Sequence, residues 1–189
     1  MAPLPSRDQF ASISFEAEVT HNPISANVGS QLLLAFHRLT CSDLPARIVG
    51  RFRSTRVKVG RASDYVNESF EPPPAQEVTL LIEKLCYEWN SQYNSISASR
   101  PKRKLEAIAR YHARLLAVHP FADGNGRVAR ALLMQQCLDL FGKADMSLMN
   151  RGGSYYAALQ AADHGDMKPL AELIAPIVQT RGPIATNGG

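Results

Sequence analysis

The sequence predicts a mainly helical protein, all-α in class, carrying one short β-hairpin. Three observations support that reading. Apolar residues recur at three- and four-residue steps through most of the chain. Residues 47–61 break the pattern, alternating apolar and basic side chains up to Gly60. Gly, Pro and small polar residues gather between the periodic segments rather than inside them.

Along the chain, residues 8–18 read as a short helix with Ser6 or Asp8 as its cap. Residues 28–40 carry Val28, Leu32, Leu33, Phe36 and Leu39 at helical spacing. The alternating stretch at 47–61 follows as the hairpin. Residues 62–74 end in Glu71, Pro72, Pro73 and Pro74, a run that holds the chain extended. A helix is expected over 75–92, where Val78, Leu81, Ile82, Leu85 and Trp89 form one stripe, and then a polar loop at 93–101. Residues 102–118 read as a helix through Leu105, Ile108, Ala109, His112, Leu115 and Leu116. Residues 119–125 must form a loop. A helix resumes over 126–141 with Val128, Leu132, Leu133, Cys137 and Phe141, and Gly142 stops it. Helices at 152–164 and 168–180 precede a tail, 181–189, expected to be disordered. The domain reading is N-terminal helices over 1–46, a core over 47–180, and that tail.

A chain of 189 residues can bury a core without disulfides or a structural metal. Its three cysteines, at 41, 86 and 137, form no CxxC pair and are odd in number. This argues against a secreted disulfide framework and a Cys-rich zinc site, and favours a reducing, cytoplasmic location. A net charge of +4 is too mild for a dedicated nucleic-acid binder. No basic stretch followed by an apolar core opens the chain, and no apolar run approaches the ~20 residues of a membrane helix. Neither a signal peptide nor a membrane partner is expected.

The chemistry is concentrated between the helices at 102–118 and 126–141. Gly124, Asn125 and Gly126 place side-chain-poor backbone just ahead of a helix N-terminus, whose unpaired N–H groups and dipole form an anion cradle. Arg127 and Arg130, three residues apart, share a face and can grip phosphate oxygens. Asp123 is a hard oxygen ligand beside the cradle, suited to a Mg²⁺ that also binds phosphate. His119 titrates near neutrality and can take a hydroxyl proton. Each piece alone has an ordinary explanation, as a turn, a structural histidine or a solvated arginine. Together, in this order at a loop-to-helix junction, they are the parts of phosphoryl or nucleotidyl transfer. No GxxxxGK[ST] occurs, so this is not a P-loop.

His119 to Arg130 matches in full the signature HPFx[DE]GNGRxxR, and the chain resembles the Fic (Fido) domain family, enzymes that transfer AMP from ATP to protein hydroxyls. Residues 50–60 with the prolines at 72–74 look like the family's flap hairpin, and His112 fits its H-x6-HPF helix. Similarity covers residues 47–180. The resemblance implies a mainly helical Fic fold and a protein adenylyltransferase (AMPylase) that uses ATP and Mg²⁺. It implies His119 as general base and Asp123 as the metal ligand. Gly124, Asn125 and Gly126 would form the anion hole, with Asn125 near the α-phosphate. Arg127 would serve the β-phosphate and Arg130 the γ-phosphate. Phe121 would be a core anchor, and Tyr155 and Tyr156 would lie near the adenine. Asp163 stands where family members often carry Asn.

Many members also carry an inhibitory motif, [ST]xxxE[GN], whose Glu pairs with the second motif arginine. Ser12 to Ala17 fits with Glu16 in place, except that Ala17 replaces Gly or Asn; the overlapping frame at Glu18 fits less well. Arg47, Arg51, Arg53, Arg56, Lys58 and Arg61 fall in an acid-free stretch that is either a solvated face or a dock for an extended target segment. Implied partners are ATP, a target protein docked on the flap, the chain itself as a target, and an antitoxin or a second copy. The alternatives are a related transfer (kinase-like, UMP or phosphocholine) or a non-catalytic basic binding module. Kinase-like Doc relatives replace the second loop glycine and the first motif arginine, whereas Gly126 and Arg127 both stand here.

Overall fold

The structure, a computed structural model, describes residues 23–59, 71–149 and 152–179. The helix expected at 8–18, with Glu16 and Glu18, and the tail at 181–189 lie outside the described residues. The described helices are α1 (Ser30–Thr40), α2 (Val78–Ser97), α3 (Pro101–Val118), α4 (Asn125–Phe141), α5 (Gly153–Asp163) and α6 (Lys168–Val178).

Helix α3 is the hub and packs against α2, α4, α5 and α6. Its sequence explains this. Pro101 presets the first turn. Ile108, Ala109, Tyr111, His112, Ala113 and Leu115 are all buried, more than one stripe can hold, so the helix is wrapped by neighbours. Helix α4 answers with buried Val128, Leu132, Leu133 and Cys137. Helix α6 supplies Leu170, Ile174 and Ile177. Each such aliphatic side chain contributes about 1.5–3 kcal/mol when fully buried. The chain ahead of α1 is pinned to α2 and α4. Trp89 Nε1–H donates to the Ser25 carbonyl at 2.6 Å, and Ser25 N–H donates to Asp139 Oδ2 at 2.7 Å.

Three expectations are corrected. Helix α2 runs through Ser97, absorbing part of the loop expected at 93–101, because Tyr93 and Ile96 prolong the Trp89 stripe and are themselves buried. On α1 the inward pair is Leu33 and His37, while Leu39 is 71% exposed, so the apolar stripe was centred one position off. The hairpin at 50–60 is not shown. No strand occurs among the described residues. Residues 52–54 and 56–58 are irregular chain, with a single bridge at Val59, and residues 60–70 lie outside the described set. The chain here is fixed by side chains rather than by a ladder, as set out below. Among the described residues no helix is long and apolar enough to cross a membrane.

Candidate active site

Helix α3 ends in an uncommon way. Its C-cap is His119 at φ 50°, the only non-glycine residue with positive φ among the described residues. A left-handed conformation there costs an ordinary residue roughly 1–2 kcal/mol. Several bonds over-determine it. His119 N–H donates to the Leu115 carbonyl at 3.2 Å, the His119 carbonyl accepts Arg53 Nε–H at 2.7 Å, and the Pro120 carbonyl accepts Arg53 N–H at 2.9 Å. The imidazole lies beside the Leu116 carbonyl. Burial holds the His119 pKa below its ordinary 6.5. The Leu116 carbonyl opposes this, the Arg53 charge adds to it, and Asp123 again opposes. The ring is therefore neutral at physiological pH, the form that accepts a proton.

The next residues close on themselves. Asn125 Oδ1 accepts Phe121 N–H and Asn125 Nδ2 donates to the Phe121 carbonyl, both at 2.8 Å. Phe121 is 0% exposed; its ring stacks on His37 at 4.1 Å and meets Phe52 at 5.5 Å. His37 ties three parts together. Gly50 N–H donates to its Nδ1 at 2.9 Å, so Nε2 carries the proton and donates to the Asp123 carbonyl at 3.0 Å. Gly124 has φ 80°, and a Cβ there would lie 2.4 Å from Cys41 Sγ, so both backbone and space demand glycine.

Helix α4 then begins at Asn125; Arg127 N–H already donates to the Gly124 carbonyl at 3.0 Å, and the Asn125 and Gly126 N–H groups ahead of it have no intrahelical acceptor. Asp123 is exposed, and Gly124 N–H orients its carboxylate through Oδ1 at 2.5 Å. A Cβ on Gly126 would lie 3.0 Å from Arg130 Nη1, so the Arg130 guanidinium reaches across this glycine. Arg127 turns toward α1, donating to the Thr40 carbonyl at 3.0 Å and pairing with the Asp43 carboxylate.

The fold thus brings His119, Asp123, Gly124, Asn125, Gly126 and Arg130 to one junction. Asn125 and Tyr155 each carry a side-chain bond that their neighbours in the sequence do not announce. The Asn125 side chain is spent on the loop, which leaves its backbone N–H for an anion. The Tyr155 hydroxyl is buried and donates to His112 Nε2 at 2.7 Å, while His112 Nδ1–H donates to the Ala129 carbonyl at 3.2 Å. Tyr155 therefore joins α5 to α3, and Tyr156 is the half-exposed partner 5.7 Å from it. Phe121 is the core anchor expected. Sequence reasoning missed His37, Arg53 and Asp43 as supports. His37 lies four residues after Leu33, which does signal an inward position; Arg53 and Asp43 have no comparable signal.

Among the described residues no group of three or more His, Cys, Asp or Glu could hold a metal by itself. A single oriented carboxylate at Asp123 still fits Mg²⁺, which keeps waters and shares phosphate oxygens.

A family model described as the Fic/DOC family matches residues 27–137. Among curated proteins, the chain is 30% identical over 144 residues to the protein adenylyltransferase fic-1 of Caenorhabditis elegans, covering 76% of this chain and 26% of that protein. It is 33% identical over 146 residues to the protein adenylyltransferase Fic of Nematostella vectensis, covering 76% and 30%. The chain thus spans between a quarter and a third of these relatives' length. Among solved structures, a Fic family protein from Desulfovibrio desulfuricans superposes with TM-score 0.61 at 28% identity, covering 81% of this chain and 45% of that one. The BepC protein of Bartonella tribocorum, solved with bound AMPPNP, superposes with TM-score 0.66 at 20% identity, covering 86% and 80%.

Proposed function

The chain belongs to the Fic/DOC family, and we propose that it is a protein adenylyltransferase, moving AMP from ATP to a Ser, Thr or Tyr hydroxyl of a target protein. The observation that supports this most is the α3–α4 junction: a neutral, half-buried histidine in a left-handed cap, next to glycine-lined helix N–H groups and an arginine that reaches across them. Relatives at 30% identity and above that carry the adenylyltransferase name point the same way.

In this reading His119 takes the proton of the target hydroxyl as that oxygen attacks the α-phosphorus. The new P–O bond forms while the α–β bridge breaks, and pyrophosphate leaves opposite the nucleophile. The N–H groups of Asn125 and Gly126 receive the charge that develops on the α-phosphate oxygens. Arg130 holds the γ-phosphate. Arg127 serves the β-phosphate after leaving Asp43. Asp123 would hold Mg²⁺, which supplies charge neutralisation on the phosphates when bound. The segment at 50–60 docks an extended stretch of the target by strand addition, setting its hydroxyl over the α-phosphate. Glu16 competes with the γ-phosphate for Arg130, so Glu16→Gly raises self-modification and Glu18→Gly does not.

Intact mass after incubation with ATP and Mg²⁺, alone and with lysate, tests the proposal. The expected result is the mass of one AMP on this chain or on a target, absent with His119→Ala. An adduct with the mass of a phosphoryl group, UMP or phosphocholine, or AMP transfer that persists in His119→Ala, would overturn it.

A further inference from the structure

Arg53 is only 5% exposed, in a stretch whose other arginines, Arg51 and Arg56, face solvent. Its guanidinium donates to four backbone carbonyls: His119 at 2.7 Å, Pro73 at 2.5 Å, Thr55 at 3.2 Å and Val118 at 3.4 Å. Its own N–H donates to the Pro120 carbonyl at 2.9 Å. These acceptors are not a random set. Val118 and His119 carry orphan carbonyls at the negative end of α3, where a cation is favoured. Thr55 lies in the described segment before residues 60–70 and Pro73 in the segment after them. The two peptides on either side of the left-handed His119–Pro120 step are thus gripped by one residue, which also ties the segment at 52–59 to the prolines at 72–74.

We infer that Arg53 is the positioning residue of the catalytic base: it holds His119 in its left-handed pose and fixes the flap in register with it. This rests on the transfer reading above. A target strand laid along this segment is then registered to the base chiefly through Arg53, with no ladder between them. The geometry needs a planar fork with several donors, which an ammonium cannot reproduce. A buried arginine bonded only to carbonyls could also be a simple structural staple, so the test must separate position from stability.

The test uses Arg53→Gln and Arg53→Lys. For both, a displaced base predicts that kcat for AMP transfer falls by about 10²-fold, as for a misplacement on the order of 1 Å. ATP affinity by calorimetry, and KM for ATP, stay near wild type, because the phosphate cradle is untouched. Lysine keeps the charge and the stem yet does not rescue. Histidine-selective NMR should show the His119 ring resonances moved in both variants, with those of His164 unmoved. Unchanged kcat, full rescue by lysine, or a loss of kcat matched by an equal loss of ATP binding would overturn the inference. If Arg53→Gln does not fold, the lysine variant decides on the same criteria. The His119 resonances need no turnover, so unmoved resonances count against the inference even if the transferred group is not AMP. Absence of any transfer by wild type would count against the functional reading alone.

Discussion

The loop at 119–124 and the segment at 50–59 both run without helix, yet they are held in opposite ways. The loop carries its own brace. Asn125 bonds both backbone groups of Phe121, and the Phe121 ring is sealed between His37 and Phe52. The flap segment has no ladder and borrows its support, through Arg53 onto the end of α3 and through Gly50 onto His37. The Asn125 brace can be specified by a short motif, because its partner lies four residues away. A borrowed segment can be specified only by the elements it leans on. In the proposed reading the difference matches two roles: the self-braced part bears the chemistry, and the leaning part accepts a partner's backbone.

That contrast can be broken or sharpened at four places. The largest effect should come from His119→Ala. A positioned base contributes ~10²–10⁴-fold, so transfer should fall by that factor while circular dichroism and ATP binding stay near wild type. Loss of ATP binding in this variant would mean that chemistry and frame are not separable in the loop.

The second is pH. Burial pushes His112 down to about 4, against its ordinary 6.5, and His37 is lowered by burial as well. In the unfolded chain these rings take up protons near 6.5; in the folded protein they resist. The unfolded state therefore binds more protons below 6.5, and stability, complete above that pH, is lost as pH falls toward 4. For His112 the loss is up to about 3 kcal/mol. Urea midpoints at pH 7 and 4.5 should fall steeply in wild type and less steeply in His112→Asn. Equal slopes would show that the frame beneath the loop does not depend on a neutral histidine.

Third, Asn125→Ala strands the buried Phe121 N–H and should cost about 1–3 kcal/mol in denaturant unfolding. The loop's amides should exchange faster, with those of residues 51–58 little changed. Equal loosening of both would mean that the flap leans on the brace itself. The smallest effect belongs to Asp43→Ala. The Arg127–Asp43 pair is half open to solvent, so stability should change by less than about 1 kcal/mol. Freed of its competitor, Arg127 should bind ATP modestly more tightly by calorimetry; weaker binding would make Asp43 a support for Arg127 instead.

Much of this was legible beforehand. The helices at 102–118, 126–141 and 168–180 follow from strong periodicity, and their observed bounds differ by at most two residues. The candidate site at 119–130 could be picked out because the pieces that suggest it are local: cap, cradle and clamp lie within one loop and the first turns of α4. The end of α2 was not, because Tyr93 and Ile96 are surrounded by polar residues that read as a loop until their burial is seen. The Tyr155 contact was not either, since nothing in its neighbours announces His112 forty-three residues earlier.

By itself, then, the sequence determined the helical class, the order of most helices and the place of the candidate site, since all of these rest on interactions between residues a few positions apart. The tertiary structure alone decided which identical side chains take different parts. Arg51 faces water and Arg53 is buried under the loop at 119–124. Arg130 crosses the glycine cradle while Arg127 turns to Asp43, and Tyr155 is spent on His112 while Tyr156 stays half exposed. The physical reason is that a side chain's role is set by the donors, acceptors and dielectric around it, and those come from elements remote in the chain and near only in space.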